Sequence, residues 1–309
     1  MQIYVLAHSL KRTASRKGLS LFDMPRFVRE QGFEGLEISD RQIIGLGEDS
    51  LLRFATECQA NQCGLIIDIN VNFTSADRRF LDEEIEHSKR MIRMASDLGA
   101  GTTRICLGGQ AITVQSIFRK QRGEGRGNGE KNSVDRPNAG SPVRFQAETL
   151  IMRLGHIFRK SMSARIWGLE SKLKSAIAAL REVIPLAAER GIRMGIENHW
   201  GISGDPQNIM RIVREIDSPF LGTCPDMGNF PRGIAPLAGL ETLAPYAVIL
   251  HAKSYGFRQD GEEKNIDYGK CLSIFHRNGF DGPITVEFEG LGEDLEGCRL
   301  TRELIRRHW

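Results

Sequence analysis

Residues 193–224 read RMGIENHWGISGDPQNIMRIVREIDSPFLGTC and contain the pattern that decides the fold. Residues 193–197 form a short, mostly apolar run, residues 206–216 carry apolar side chains at helical spacing, and residues 220–224 form a second short apolar run. A strand, a helix and a strand in this order predict two parallel strands joined by a crossover helix.

The same alternation extends over most of the chain in both directions. It predicts eight strands, at 3–7, 35–38, 65–69, 102–107, 193–197, 220–224, 248–251 and 284–288. The helices predicted after them lie at 22–31, 51–61, 82–98, 169–190, 206–216, 235–243, 268–278 and 293–307. Eight strand–helix units predict a single-domain α/β fold, the (β/α)₈ or TIM barrel. An open doubly wound sheet is the alternative, but no G-x-G-x-x-G follows the first strand, which disfavours a dinucleotide-binding fold.

Residues 111–165 interrupt the alternation between the fourth strand and its helix. Their middle part, 122–142, is rich in Gly, Asn, Ser, Pro and charge, and predicts a flexible or disordered basic insertion. Without it the chain has about the 250 residues typical of this barrel. At the barrel mouth the insertion could be a tolerated surface loop, a basic lid that attracts an anionic substrate, or a nucleic-acid arm. The last is disfavoured because interleaved aromatic residues are missing, and we expect no nucleic-acid partner.

Composition and cysteine usage narrow the class of protein. No apolar run approaches the roughly 18 residues that a membrane span needs, so no membrane partner is expected. Residues 1–12 place basic residues after an apolar run, the reverse of a secretory signal, and a cytoplasmic location is the expectation. The six cysteines form no C-x-x-C pair, which predicts reduced, buried thiols.

Four consecutive predicted strands, the fifth to the eighth, end in side chains that can bind a metal. These are Glu197, Asp226, His251 and Glu287. Because the carboxyl ends of barrel strands meet at one mouth, we expect these side chains to converge. Three carboxylates and one imidazole predict one divalent metal ion, with Mn²⁺, Mg²⁺ or Co²⁺ favoured and Zn²⁺ an alternative. Glu289 has the same strand parity as Glu287 and is the alternative fourth ligand.

Other polar residues near strand ends are candidate substrate contacts. They are His8, Glu37, His199, Asn229 and Lys253. Lys253 could bind a substrate hydroxyl or phosphate. Glu37 could instead be an ion-pair partner inside the barrel, and His199 could instead support Glu197.

Five motifs carry a resemblance to a known family: GFEGLE at 32–37, GIENH at 195–199, DMGN at 226–229, HAK at 251–253 and VEFEG at 286–290. Together they resemble the xylose isomerase-like TIM barrel family, specifically its sugar phosphate isomerases and epimerases. The resemblance implies a Glu-Asp-His-Glu metal shell made of the same four residues. It also implies that Glu197 and Glu287 act as acid–base catalysts.

The sequence departs from that family pattern at two positions. Ketose 3-epimerases of the family carry a histidine where Asn229 stands here, and an arginine a few residues after the metal histidine, for which Arg258 is the nearest candidate. The expected function is therefore a metal-dependent isomerase or epimerase of a sugar or sugar phosphate. It would transfer protons next to a ketose carbonyl through an enediolate.

Three other functions remain open. A lyase or dehydratase of a keto-inositol or dehydroshikimate-like substrate would use the same scaffold, and a non-catalytic barrel would bind a sugar without converting it. A DNA-repair phosphodiesterase of this fold would need many histidines to bind several metals. It is disfavoured because only His8, His199 and His251 lie near strand ends. The expected partner is a small sugar or sugar phosphate, and assembly into a homo-oligomer stays open.

Overall fold

The structure, a computed structural model, describes residues 1–107 and 168–309. Eight parallel strands form its central sheet: β1 Gln2–Leu6, β2 Gly35–Ser39, β3 Gly64–Asn70, β4 Thr102–Cys106, β5 Arg193–Glu197, β6 Leu221–Cys224, β7 Leu250–Ser254 and β8 Pro283–Phe288. Their order is β6-β5-β4-β3-β2-β1-β8-β7, so the first and last strands of the chain are neighbours. The TIM barrel expected from the sequence is confirmed. The predicted insertion at 111–165 lies outside the described residues.

Helices surround the sheet on its outer side. In the described part of the chain they are α1 Lys11–Lys17, α2 Met24–Glu30, α3 Asp40–Ile43, α4 Glu48–Ala60, α5 Arg78–Asp97, α6 Leu169–Glu189, α7 Pro206–Ile216, α8 Pro236–Leu243, α9 Tyr268–Arg277 and α10 Asp294–His308. Local signals set several starts. Asp205 accepts a hydrogen bond from the Gln207 amide ahead of α7, whose first residue is Pro206. None of these helices is both long and apolar enough to cross a membrane.

The barrel closes between β6 and β7 by a looser seam than elsewhere. Instead of a continuous ladder, isolated bridges join Thr223 to Ala247 and Asp226 to His251. The His251 amide donates to the Pro225 carbonyl oxygen at 2.8 Å, and the Met227 amide donates to the His251 carbonyl oxygen at 3.2 Å. Pro225 has no amide hydrogen, so a regular ladder cannot run through this point. The regular ladder is therefore interrupted near the mouth, where the polar side chains lie.

The barrel interior has an apolar lower layer beneath its polar mouth. Five buried residues form it: Tyr4, Ile66, Cys224, Val248 and Ile249. A Cβ atom on Gly64 would overlap the Tyr4 hydroxyl, so the absent side chain there lets the tyrosine lie across β3. The larger apolar core fills the space between the sheet and the helices. All six cysteines are free and buried, as predicted.

The sequence prediction missed α1 and α3, and it placed the bounds of several elements differently from the structure. Residues 7–17 had no predicted helix, yet a 3₁₀ turn at Ala7–Leu10 leads into α1. Asp294, at the start of α10, accepts hydrogen bonds from the Arg12 and Thr13 amides and fixes the beginning of α1. A contact across the whole length of the chain cannot be read from local periodicity. The seventh strand was predicted at 248–251 but continues to Ser254, because the polar Lys253 finds partners inside the barrel.

Candidate metal centre

The four predicted metal ligands lie together, although His251 is the second residue of β7 and does not stand at its carboxyl end. We call Glu197, Asp226, His251 and Glu287 the candidate metal group. Each offers one ligand atom, and these four atoms all lie within 4.8 Å of one another. The four residues are at most 5% exposed. The arrangement follows from the parallel barrel, which brings the same end of every strand to one mouth.

Asp226 is held in place through its own backbone. The Asn198 side chain accepts a hydrogen bond from the Asp226 amide at 2.6 Å and donates one to the Asp226 carbonyl oxygen at 3.0 Å. The Gly228 amide donates to Asp226 Oδ1 at 2.7 Å. The second carboxylate oxygen, Oδ2, is buried and accepts no hydrogen bond from the described residues. Asp226 thus presents to the group one oxygen that accepts no hydrogen bond from the described part of the chain.

Glu197 is divided in the same way between a supported oxygen and a presented one. Arg104 Nη1 and Cys106 Sγ donate to Oε2 at 2.5 Å and 2.9 Å. Oε1 accepts a hydrogen bond from Asn229 Nδ2 at 3.2 Å and lies 3.7 Å from His251 Nδ1. Asn229, predicted to contact substrate, therefore orients Glu197 in this structure. Burial raises the pKa of Glu197. The charge of Arg104 and two nearby histidines have the opposite effect and hold this pKa below its ordinary value.

His251 faces the group through one ring nitrogen and is fixed through the other. Nδ1 lies 2.9 Å from Glu287 Oε2 and 3.8 Å from Asp226 Oδ2. Nε2 lies 3.0 Å from Glu37 Oε2, and Glu37 is completely buried. A carboxylate behind a histidine fixes the ring orientation and makes the facing nitrogen a better metal donor. Of the two readings of Glu37, the structure gives it the contacts of an ion-pair partner inside the barrel.

Lys253 extends into the same region from β7 and is completely buried. Its ammonium nitrogen lies 2.7 Å from Glu287 Oε1, 3.5 Å from Asp226 Oδ2 and 3.3 Å from Glu289 Oε1. Glu289, the alternative fourth ligand, is 45% exposed at its side chain and stands outside the candidate metal group. Glu287 therefore has one oxygen on the lysine and the other on the histidine.

Five buried carboxyl groups share the interior with three buried side chains that can carry positive charge. The carboxyl groups are those of Glu37, Asp68, Glu197, Asp226 and Glu287, and the other side chains are Arg104, Lys253 and His251. Burial raises the pKa of Asp226 well above its ordinary value. Lys253 opposes this shift, and the carboxylates of Glu287 and Glu197 add to it. Burial alone would lower the pKa of His251, but Cys224 and Glu37 raise it well above its ordinary value. Neighbouring acidic groups thus favour a positive charge on His251, whereas burial is the main cause of the Asp226 shift.

The residues present fit a divalent cation. Three oxygens and one imidazole nitrogen converge, and one of the oxygens accepts no hydrogen bond from the described residues. Each carboxylate has its second oxygen occupied by a protein donor, so the set offers single oxygens. Such a set suits a small hard cation better than Ca²⁺, which takes six to eight oxygens and often both of a carboxylate.

The remaining predicted contacts lie at different distances from the group. His199 follows β5 and packs edge-on against Trp200, with ring centroids 3.7 Å apart. His8 Nε2 lies 3.0 Å from Lys11 Nζ, and His8 is exposed. Arg258 is exposed in the turn after β7, 3.4 Å from Asp260, and does not join the candidate metal group.

Sequence reasoning missed the charged residues deeper in the barrel. Arg104 contacts Glu37, Asp68 and Glu197 from the middle of β4. Asp68 stands opposite Arg104 in the register of β3 and β4, and burial raises its pKa to about 7. A usable signal was present, since each charge interrupts an otherwise uncharged strand and the two have opposite sign. The site prediction included only strand ends, so it contained neither residue.

A family model described as a xylose isomerase-like TIM barrel matches residues 149–307. Among curated proteins, an uncharacterised protein of Methanocaldococcus jannaschii is 26% identical over 174 residues, covering 52% of this chain and 57% of that protein. The 3-oxo-isoapionate decarboxylase of Pectobacterium atrosepticum is 32% identical over 135 residues, covering 43% and 46%. The chain therefore spans about half the length of the curated relatives it matches.

Solved structures match over nearly the whole chain at low identity. A D-tagatose 3-epimerase-like protein superposes with a TM-score of 0.69 and 17% identity, covering 99% of this chain and 98% of that one. A xylose isomerase-like TIM barrel protein of Mycobacterium smegmatis, in complex with magnesium, has a TM-score of 0.60 and 19% identity, covering 93% and 87%. At these identities the likeness concerns the fold.

Proposed function

Because the chain belongs to the xylose isomerase-like TIM barrel family, we propose that it is a metal-dependent isomerase or epimerase of a sugar or sugar phosphate. The reaction is proton transfer at a carbon next to a ketose carbonyl, through an enediolate. The observation that carries the proposal is the candidate metal group itself. Four buried ligand atoms within 4.8 Å of one another, two of them from glutamates, are what this chemistry requires.

Glu197, Asp226, His251 and Glu287 would hold the cation, which would polarise the carbonyl oxygen of the substrate. In the proposed reaction one glutamate removes the proton from the carbon next to that carbonyl. If the other glutamate returns a proton to the opposite face of the same carbon, the product is the epimer. If the proton returns to the neighbouring carbon, the product is the isomeric aldose or ketose.

The two glutamates have different supports, which suits them to separate roles. Glu197 rests on Arg104, a cation that two further carboxylates hold in place. Glu287 rests on Lys253, a single ammonium that it shares with the half-exposed Glu289. We assign substrate contact to the residues nearest the mouth, His8 and His199, and retain Lys253 and Arg258 as weaker candidates.

A second candidate is a lyase acting on the same kind of enediolate, and two observations favour keeping it. The relative from Pectobacterium atrosepticum that is 32% identical over 135 residues carries the name of a decarboxylase. In addition, Asn229 stands where ketose 3-epimerases of the family carry a histidine. A lyase would release carbon dioxide or an ultraviolet-absorbing enone, whereas an isomerase releases neither.

Hydrogen exchange at carbon tests the proposal. The protein, loaded with Mn²⁺ and then freed of excess metal, is incubated in D₂O with a panel of ketoses and ketose phosphates. Deuterium is then measured by mass spectrometry of the recovered sugar. We expect exchange next to the carbonyl for at least one sugar. Glu197→Gln and Glu287→Gln should each lower its rate by about 10²–10⁴-fold, the usual contribution of a general base.

The matched control is Glu215→Gln, an exposed glutamate of α7 that pairs with Arg211. It should exchange at the wild-type rate. Wild-type exchange by either active-site variant would contradict the assigned roles. Release of carbon dioxide or an enone would support the lyase instead.

A further inference from the structure

Lys253 is the only lysine among the described residues that is completely buried, and it stands beside the candidate metal group. It pairs with Glu287 in the register of β7 and β8, so the two side chains enter the barrel as direct neighbours. Its ammonium nitrogen lies 2.7 Å from one ligand, Glu287, and 3.5 Å from another, Asp226. A buried charge at these distances acts strongly on whatever the same carboxylates bind.

The surrounding chain makes room for this lysine. A Cβ atom on Gly228 would lie 2.6 Å from Lys253 Cγ and 2.9 Å from the Tyr255 hydroxyl oxygen, so only glycine leaves space for the lysine stem. The hydroxyl of Tyr268, itself completely buried, donates a hydrogen bond to the Lys253 carbonyl oxygen at 2.8 Å. The fold thus fixes the stem and backbone of Lys253, which stands two residues beyond the candidate ligand His251.

We infer that Lys253 is an internal cation of the metal centre, which lowers its affinity for a divalent ion and holds Asp226 and Glu287 together when no ion is bound. The inference rests on the proposed function, since it concerns the same four ligands. It adds that the centre is tuned to release its metal more readily than its ligands alone would allow.

Two opposite effects of removing the lysine charge have to be weighed. Removal takes away repulsion between the ammonium and a doubly charged ion only a few ångströms distant, which strengthens metal binding. It also takes away a contact that positions Glu287, which weakens binding. A glutamine retains a donor for Glu287 without the charge, so in Lys253→Gln the first effect dominates.

The test measures Mn²⁺ affinity and thermal unfolding for wild type, Lys253→Gln and the charge-retaining control Lys253→Arg. We expect Lys253→Gln to bind Mn²⁺ at least about tenfold more tightly. After chelation of metal it should unfold at a lower temperature than wild type, because its carboxylates then repel one another. Lys253→Arg should not bind Mn²⁺ more tightly than wild type.

The two measurements separate an electrostatic role from a merely structural one. A lysine that only supports the fold would, when replaced, lower stability and metal affinity together. Mn²⁺ affinity of Lys253→Gln equal to or weaker than wild type would overturn the inference while leaving the proposed function intact. Wild-type protein that binds no Mn²⁺, and so matches Asp226→Asn, would overturn the proposed function itself.

A measurement on the wild-type protein covers the case in which Lys253→Gln fails to fold. The ammonium group of a buried, ion-paired lysine gives a nitrogen NMR signal, which Lys253→Arg identifies by its loss. Titration with diamagnetic Mg²⁺ should shift that signal as Glu287 and Asp226 turn to the ion. A signal unchanged at saturating Mg²⁺ would contradict the inference.

Discussion

Arg104 shows how much of this site depends on a residue outside the candidate metal group. Its guanidinium contacts Glu37, Asp68 and Glu197, one carboxylate from each of three other strands. Through Glu37 it supports His251, and through Glu197 it supports a proposed base. The planar fork of an arginine can satisfy several carboxylates at once, which the single ammonium of a lysine cannot.

Arg104→Lys should therefore destabilise the protein although it conserves charge. The single ammonium of lysine can contact fewer carboxylates than the guanidinium of arginine. At least one buried carboxylate would be left unpaired, at a cost of at least about 2 kcal/mol. Urea denaturation of the metal-free protein measures the loss of unfolding free energy.

Arg211→Lys is the matched control, because Arg211 also joins two carboxylates, Glu170 and Glu215, but at the surface. Its change should stay below about 1 kcal/mol. Equal losses in the two variants would show that burial of the Arg104 cluster contributes nothing.

At the scale of an element, α5 carries a titratable group that faces the loop after β3. Glu84 is buried and accepts a hydrogen bond from the Asn72 amide at 2.7 Å. Burial, to which the nearby Asp40 carboxylate adds, raises the pKa of Glu84 from 4.5 to about 7. The folded protein thus holds a proton on Glu84 that the unfolded chain releases near pH 4.5.

The sign of the pH effect follows from this difference. A raised carboxyl pKa favours the folded state fully below about pH 4.5, and this contribution is lost as pH rises through about 7. Glu84→Gln removes the ionisation and retains an acceptor for the Asn72 amide. The variant should match wild type near pH 4.5 and exceed its unfolding free energy by about 1–3 kcal/mol at pH 8.

Denaturation curves at both pH values check this expectation. Asp82→Asn, an exposed neighbour on the same helix, is the control and should follow the wild-type pH dependence. A Glu84→Gln curve that runs parallel to wild type from pH 4.5 to 8 would contradict it.

The elements also show what the sequence could and could not predict. Alternating strands and helices gave the barrel and the ends of β5, because those signals are local. The short α1 was missed because Asp294, far along the chain, fixes its start. The end of β7 was misplaced because a lysine reads as a surface residue until its buried partners are known. Arg104 was missed because the site prediction considered only strand ends. The four candidate ligands were found because barrel geometry brings the predicted strand ends together.

At the scale of the whole molecule, the candidate metal group spans the weakest join of the barrel. Glu197 and Asp226 belong to the β5–β6 side, whereas His251 and Glu287 belong to the β7–β8 side. Between the two sides only isolated bridges connect β6 to β7. A cation held by all four residues would tie the two sides together and close the ring.

Metal binding should therefore slow amide exchange most at this seam. The amides of Met227, Val248 and His251 donate across it, and openings that separate the two sides would have to release the ion. At a free metal concentration of 100 times the dissociation constant, such openings become about 2.7 kcal/mol less favourable, which is roughly 100-fold slower exchange.

Hydrogen exchange at times too short for global unfolding, with and without Mg²⁺, measures this slowing at the seam. The continuous β2–β3 ladder provides the internal reference, and Asp226→Asn should abolish the difference. Equal slowing at the seam and in β2–β3 would show that the ion does not act as the closing link of the barrel.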